Sequence, residues 1–280
     1  MHITPLVSPQ WLHDNLNNPA IGVIDNSWEQ NAYGRAHIAG AIPVPCHPHL
    51  KHFDAAGDKT SRLLNPDEFR QLCEDLGLRR DCHYVLYDDW HGLFSARFWW
   101  VCRYYGFDNV SILNGGWQGW RTQGRPVSSR IETPKSGTDV VPAAHPELLV
   151  EQAELLKIFA DPAVQLWDTR RAAEFCGAEE TGNQRPGHIP GACNLSWTDL
   201  LTEADNEGAP RFFRPLEELE NIVTDLGLQR DKPIVPYCQN GIRAAFGLLA
   251  LHLLGFERLR LYDGSMFEWA NCQETPLSAD

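Results

Sequence analysis

Basic residues are scarce in this chain: 24 lysines and arginines stand against 37 aspartates and glutamates, and the formal net charge is −13. An excess of negative charge repels phosphate backbones and anionic lipid surfaces. We therefore expect no nucleic-acid partner and no membrane partner. A small anionic substrate remains compatible with this composition if it binds in a local basic pocket.

Long apolar runs are also missing. The most apolar stretch, Phe246 to Phe256, is eleven residues long and contains His252. It is too short to span a bilayer and is typical of a buried helix. The first residues show no positively charged segment followed by an apolar run, so no secretory signal is expected. These absences predict a cytoplasmic protein.

The eight cysteines include no Cys-x-x-Cys pair. Without an export signal we expect reduced thiols, most of them packed in a core and at most one or two with a chemical role. The dense stretch Cys46-His-Pro-His-Leu-Lys-His52 lacks the paired-ligand spacing of a zinc module. We therefore expect no metal and no organic cofactor.

What the sequence does contain is one internal repeat. The segment His37-Ile-Ala-Gly-Ala41 returns as His188-Ile-Pro-Gly-Ala192, an offset of 151 residues. Three more landmarks recur in the same order: Ile21–Asp25 with Val164–Asp168, Tyr84–Asp88 with Ile234–Cys238, and Ile112–Trp117 with Leu261–Met266. Extra residues around 176–186 account for the shift in offset. The repeat predicts two similar domains, residues 1–128 and 147–280, joined by a linker at 129–146 that is rich in Ser, Thr, Pro and Gly.

Each half alternates short apolar runs with helical stretches, which predicts an α/β fold with a parallel sheet covered by helices on both faces. Asn65 is a candidate helix N-cap, and Gly77 follows the end of the same helix. Ligands of such sheets bind at the C-terminal ends of strands, which places Asp88 and Cys238 at the ligand positions of the two halves. The predicted strands are 23–24, 84–87, 110–113, 165–167, 234–237 and 259–261, and the predicted helices are 66–76, 95–105, 215–226 and 242–254.

Cys238 opens the segment Cys238-Gln-Asn-Gly-Ile-Arg243, between a predicted buried strand and a predicted helix. The N–H groups of a tight strand-to-helix loop and the helix N-terminus are partially positive, which favours a thiolate over a thiol. Gly241 permits a backbone conformation closed to other residues, and Arg243 adds a permanent cation. The pattern predicts a nucleophilic cysteine, and a buried structural cysteine is the alternative.

These residues resemble the rhodanese family, whose active loop begins with cysteine and often has the form Cys-x-x-Gly-x-Arg. The family also has a His-Ile-Pro-Gly-Ala segment before the loop, and the resemblance covers nearly the whole chain. It implies two rhodanese-like domains, a non-catalytic first one with Asp88 at the nucleophile position and a catalytic second one. Arg170, just after the aspartate that ends a strand, matches the family's donor-binding arginine. The implied site is catalytic Cys238, the loop residues Gln239, Asn240, Gly241, Ile242 and Arg243, and the substrate-binding pair Arg170 and Arg243.

Three nearby residues have weaker cases. Arg171 and Arg185 are secondary candidates for binding the donor, because the default position of an arginine in an acidic protein is on the surface, as a solvated charge. His188 invites interpretation as a catalytic base, but the same segment recurs at His37 in the half without a nucleophile. A hydrogen bond that stabilises a turn is therefore the favoured role of His188.

The resemblance implies a sulfurtransferase that forms a persulfide on Cys238 and passes sulfur to cyanide or a thiol. We favour thiosulfate as the donor, because Arg243 and Arg170 offer two positive charges to a dianion. The alternatives are 3-mercaptopyruvate with the same nucleophile, and a non-catalytic rhodanese-like binding or sulfur-relay module. Related phosphatases use a Cys-x5-Arg loop, which is one residue longer than this one and binds a phosphoryl group. The shorter loop suits a single terminal sulfur better, so phosphatase activity is not favoured. We expect the protein to be a monomer.

Overall fold

The computed structural model describes residues 4–54, 59–134, 137–206 and 208–279. The chain divides into two compact units. Unit 1 comprises Met1–His52, Leu63–His145 and Thr202–Phe213, and unit 2 comprises Phe53–Arg62, Pro146–Leu201 and Arg214–Asp280. Within the predicted linker 129–146, Lys135 and Ser136 lie outside the described residues. The following stretch packs on unit 1: the Ala143 N–H donates to the Tyr105 carbonyl and Val140 is buried. The domain limits drawn from the repeat remain a proposal.

Unit 1 is built on a five-stranded parallel sheet whose strands are, in spatial order, β1 (Leu6–Val7), β8 (Val110–Leu113), β7 (His83–Tyr87), β2 (Ile21–Asp25) and β4 (Ala41–Pro43). Its central strands are apolar and buried, as expected of a sheet covered on both faces. Predicted strands 84–87 and 110–113 correspond to β7 and β8. Its elements are β1 Leu6–Val7, α1 Pro9–Asn15, β2 Ile21–Asp25, β3 His37–Ile38, β4 Ala41–Pro43, α2 Pro66–Leu76, β7 His83–Tyr87, α3 Leu93–Tyr104, β8 Val110–Leu113, α4 Gly116–Thr122 and β9 Val127–Ser128. Two further strands, β5 Lys51–Phe53 and β6 Lys59–Leu63, lie at the ends of the segment Phe53–Arg62 that belongs to unit 2. Strands β3 and β9 pair with each other, and so do β5 and β6.

The ends of helix α2 follow from local chemistry. The Asn65 side chain accepts the Glu68 N–H, and Glu68 in turn accepts the Asn65 N–H. This reciprocal capping box satisfies donors that the helix itself leaves open. Gly77 ends the helix in the left-handed region with φ 63°, where glycine avoids the steric cost of a Cβ. Both predicted boundaries of this helix are confirmed.

Unit 2 has a three-stranded parallel sheet in which β10 (Gln165–Asp168) lies between β11 (Cys193–Asn194) and β12 (Ile234–Tyr237). The predicted strand 259–261 forms only isolated bridges, from Leu259 to Ile234 and from Leu261 to Leu149. Leu166, Val235, Met266 and Trp269 belong to its buried core. The elements are α5 Gln152–Ile158, β10 Gln165–Asp168, α6 Ala172–Phe175, β11 Cys193–Asn194, α7 Leu216–Asp225, β12 Ile234–Tyr237, α8 Ile242–Leu253 and α9 Ser265–Trp269. Strand β12 therefore delivers Cys238 at its carboxyl end.

No helix among the described residues is both long enough and apolar enough to cross a bilayer.

Candidate active site

Cys238 lies in a tight turn between β12 and α8 and is fully buried. The Gly241 N–H donates to its Sγ at 3.1 Å. Gly241 has φ 82°, and a Cβ at this position would lie 2.3 Å from Asp263 Oδ1. Only glycine fits such a loop without strain. The turn thus presents backbone N–H to sulfur, as an anion-binding nest does.

The backbone of Cys238 is fixed by the segment that starts α9. The Cys238 N–H donates to Ser265 Oγ at 3.1 Å, and that hydroxyl donates to the Tyr262 carbonyl at 2.9 Å. The Met266 N–H donates to the Cys238 carbonyl at 3.1 Å. These bonds set the direction in which Cys238 projects its thiol. Sequence reasoning missed Ser265, although it falls in the recurring landmark 261–266.

Ser265 holds this place at a conformational cost. Its φ is 53°, in the left-handed region that is uncommon for residues other than glycine. In unit 1 the matching backbone bond is made by Trp117, whose N–H donates to the Asp88 carbonyl at 2.8 Å. The residue before it, at the place that Ser265 has in unit 2, is Gly116, also with φ 53°. A residue with a strained backbone, Ser265, is thus found in the unit with the cysteine, where its hydroxyl accepts the Cys238 N–H.

Arg243, the last residue of the loop, is paired with Glu174 of α6. Its two terminal nitrogens donate to the two carboxylate oxygens at 2.6 and 2.9 Å. Burial by itself would lower the pKa of Arg243, but the Glu174 bonds and the charge of Cys238 raise it above its ordinary value. Burial would raise the pKa of Glu174, but Arg243 outweighs burial and lowers it. Glu174, which the sequence did not single out, therefore neutralises the loop cation.

Arg170 is almost fully buried and points at Asp168. Its Nε lies 3.0 Å from both carboxylate oxygens, and one terminal nitrogen donates to Asp168 Oδ2 at 2.7 Å and to the Gly187 carbonyl at 2.8 Å. Burial would lower the pKa of Arg170, but the Asp168 bonds and charge raise it. Its role in binding the donor stays a prediction, and the visible role is to join the end of β10 to the turn before His188.

The secondary candidates have structural partners. Arg171 is 58% exposed and pairs with Glu179. Arg185 donates to the Thr275 carbonyl at 2.7 Å and to the Ala270 carbonyl at 3.2 Å, so it clamps the chain after α9. His188 Nδ1 lies 2.9 Å from the Phe175 carbonyl. His37 makes the equivalent contact with the Tyr33 carbonyl at 2.7 Å, which agrees with a turn-stabilising role.

Gln239, the residue after the cysteine, is held by an amide from the extra segment 176–186. Its Nε2 donates to Asn183 Oδ1 at 2.7 Å, and Asn183 Nδ2 donates back to Gln239 Oε1 at 3.2 Å. The Phe267 N–H donates to the Gln239 carbonyl at 2.8 Å, which fixes the backbone. Sequence reasoning noticed the insertion but gave it no role.

The loop of unit 1 that corresponds to the cysteine loop is filled by its own carboxylate. Asp88 Oδ1 accepts the N–H groups of Trp90 and Gly92 at 2.7 and 2.9 Å, and Oδ2 accepts the Ser95 N–H at 2.7 Å. Burial outweighs these bonds and raises the pKa of Asp88 to about 6. At neutral pH, above this pKa, the Asp88 carboxylate is charged, so the N–H groups of this turn already bind an anion that belongs to the chain itself.

Several of the other cysteines have thiols that are largely shielded from water. Burial raises the pKa of Cys46 to about 11 and that of Cys73 and Cys193 to about 12. In the stretch 46–52, His52 Nδ1 lies 2.7 Å from Glu68 Oε1. Among the described residues, no group of three or more His, Cys, Asp or Glu side chains is arranged to hold a metal ion.

Known proteins match this chain over nearly its full length. The model of the rhodanese-like domain matches residues 8–123 and 151–272. The 3-mercaptopyruvate sulfurtransferase of Escherichia coli K12 is 32% identical, with 99% of each chain covered. The thiosulfate sulfurtransferase of Corynebacterium glutamicum is also 32% identical, covering 99% of this chain and 91% of its own length. The crystal structure of SseA from Escherichia coli, described as a 3-mercaptopyruvate sulfotransferase of the rhodanese fold, superposes with a TM-score of 0.79 at 31% identity, covering 94% of this chain and 99% of that one.

The fold and the cysteine loop define a sulfurtransferase with two rhodanese-like domains. The chain belongs to the rhodanese family. The predicted family, fold class and enzyme class are thereby confirmed, whereas the roles of individual site residues are proposals.

Proposed function

We propose that this protein moves sulfane sulfur from a small anionic donor to a thiophilic acceptor through a persulfide on Cys238. With thiosulfate, the Cys238 thiolate attacks the outer sulfur, the sulfur–sulfur bond breaks, and sulfite leaves with the bonding electron pair. Cyanide or a thiolate then attacks the outer sulfur of the persulfide and releases the Cys238 thiolate. This is covalent catalysis with ping-pong kinetics.

The observation that carries the proposal is the Gly241 N–H aimed at Cys238 Sγ from 3.1 Å. A preorganised N–H donor stabilises negative charge on sulfur without reorganising during the reaction. Arg243 closes the same turn, and its position is fixed by Glu174. Together these groups support a thiolate that regenerates in each cycle.

A specific observation favours 3-mercaptopyruvate as a second candidate donor. The preference for thiosulfate depended on two free cations, Arg243 and Arg170. Each of these is paired with a buried carboxylate, Glu174 and Asp168 respectively. A guanidinium that is paired with a carboxylate attracts a dianion less than a free guanidinium does. The pairing therefore weakens electrostatic binding of the dianion thiosulfate more than that of the monoanion 3-mercaptopyruvate. Both donors have named counterparts among the relatives.

The test is sulfur transfer to cyanide with thiosulfate and 3-mercaptopyruvate as separate donors. We expect Cys238→Ser to abolish turnover and persulfide formation with either donor. Cys176→Ser, which changes an exposed cysteine of the same unit, should retain both. Full activity in Cys238→Ser would disprove the nucleophile assignment. A wild-type protein that takes up no sulfur from either donor would favour a non-catalytic relay or binding module.

Location and assembly complete the proposal. All eight cysteines are free thiols, which suits the reducing cytoplasm. We propose a cytoplasmic monomer, and size-exclusion chromatography with light scattering tests the second point.

A further inference from the structure

The interaction between Asn183 and Gln239, here called the amide clasp, is the feature of the candidate site that sulfur chemistry does not require. It joins the first loop residue after the cysteine to the segment 176–186, for which the first repeat has no equivalent length. Both side chains are half-buried. They make two neutral hydrogen bonds with each other, in both directions.

Cys238 is fully buried, so a donor or acceptor reaches its sulfur only after a neighbouring group moves. Two long polar side chains of the loop have described partners within the unit. Arg243 is held by two charge-assisted bonds to Glu174, and Gln239 is held by two neutral bonds to Asn183. Neutral hydrogen bonds are roughly half as strong as charge-assisted ones. The clasp is therefore the weaker of the two attachments.

The surroundings of the clasp allow its side chains to move while the backbone stays in place. The Gln239 carbonyl accepts the Phe267 N–H. On the other side, the Gln184 N–H donates to Asn271 Oδ1 at 2.7 Å, immediately after Asn183. Gly182, immediately before Asn183, is exposed, and a Cβ there would meet only open space. Asn183 thus lies between Gln184, whose backbone is held by Asn271, and Gly182, which has open space around it.

We propose that the amide clasp is a specificity determinant of the persulfide site: closed, it admits small reactants to Cys238, and opened, it admits large ones. The proposal rests on the proposed function only in taking Cys238 as the reacting group. Cyanide reaches the sulfur after small displacements of neighbouring groups that leave the clasp closed, whereas a bulky thiol acceptor requires Gln239 to swing away from Asn183.

Alkylation of the full-length protein tests the clasp without depending on sulfur transfer. The rate of modification of Cys238 is measured by peptide mass with iodoacetamide and with fluorescein maleimide. Loss of neutral hydrogen bonds in Asn183→Ala should raise the rate with the bulky maleimide by roughly tenfold, and the rate with iodoacetamide much less. Gln184→Ala, a neighbouring change away from the loop, should leave both rates unchanged.

Two further variants separate the clasp from general loosening. The exchange Asn183→Gln with Gln239→Asn keeps both amides and their summed length, so it should restore the wild-type ratio of the two rates. Asn183→Ala combined with Gln239→Ala should open the site no further than Gln239→Ala alone. Equal acceleration with both reagents, or additive effects in the double variant, would overturn the proposal. Absence of sulfur transfer with an intact size effect would instead refute only the proposed function.

Discussion

The ion pair of Glu174 and Arg243 makes a quantitative prediction. Glu174→Gln preserves the shape of the side chain but removes its charge and one acceptor. In the wild type the glutamate side chain is 4% exposed and the arginine 15% exposed, with both bonds short. After the change, Arg243 remains in a mostly buried position without a counter-charge. Removing one partner of a buried pair costs about 3–5 kcal/mol, and the remaining amide oxygen offsets part of this.

We therefore expect Glu174→Gln to lower the free energy of unfolding by about 2–3 kcal/mol, which corresponds to a fall in Tm of roughly 5–10 °C. Unit 2 provides a matched control. Glu154 and Arg260 make the same paired contacts, at 2.6 and 2.7 Å, but are 43% and 27% exposed. Exposed pairs contribute less than about 1 kcal/mol, so Glu154→Gln should cost little.

The same variant reports on the donor and on pH. The freed Arg243 charge should raise kcat/KM for thiosulfate relative to 3-mercaptopyruvate, because a dianion gains more from it. Arg243 holds the pKa of Glu174 below its ordinary value against the effect of burial. The pair therefore stabilises the fold fully above the unfolded pKa of about 4.3, and this contribution is lost as pH falls through the folded pKa. Equal stability losses in Glu174→Gln and Glu154→Gln in urea titrations, with an unchanged donor ratio, would refute the reasoning.

Two other changes probe the turns that contain Cys238 and Asp88. Gly241→Ala places a Cβ on a residue with φ 82° and within 2.3 Å of Asp263 Oδ1, so it should lower the free energy of unfolding by about 2 kcal/mol or more and slow alkylation of Cys238. Gly227→Ala is the control for the backbone cost alone, because Gly227 has φ 83° and open space around it. An equal loss of stability in Gly227→Ala would contradict a role for the clash with Asp263. Burial raises the pKa of Asp88 to about 6, so this residue contributes stability that is fully present below its unfolded pKa of about 3.9 and is lost as pH rises through 6. The free energy of unfolding of the wild type, relative to that of Asp88→Asn, should therefore fall by up to about 3 kcal/mol from pH 4 to pH 7. A difference between the two proteins that does not change with pH in urea titrations would contradict this prediction.

The periodic elements were predictable because their signals are local. Helix α2 has its cap, its proline and its terminal glycine within the segment itself, and β7 and β12 are apolar runs followed by a polar residue. The strand at 259–261 is not formed as predicted. Leu259 and Leu261 bridge to different partners, Ile234 and Leu149, and such pairing depends on distant residues rather than on a local pattern.

The candidate site divides in the same way. The loop from Cys238 to Arg243 is contiguous, so its shape follows from residue types in sequence. Glu174 and Asn183 meet this loop from 69 and 56 residues away, and neither has a motif that announces a partner. Charge pairing explains why Arg243, expected as a free cation, has a buried carboxylate instead: an unpaired buried charge is costly, and the fold supplies the counter-charge.

The two repeats use the N–H groups of their corresponding turns in different ways. Both turns have a positive-φ glycine, Gly92 and Gly241, and both receive an N–H on the carbonyl of their first residue. In unit 1 the Asp88 carboxylate takes three N–H groups, so the nest contains an anion that cannot leave. In unit 2 the shorter cysteine side chain accepts from Gly241, and Ser265 accepts strain to hold its backbone. A nest that stabilises a sulfur anion must release that sulfur in every cycle. Under the proposed function, the fixed Asp88 carboxylate keeps the turn of unit 1 occupied, whereas the turn of unit 2 is loaded with sulfur and emptied in each cycle.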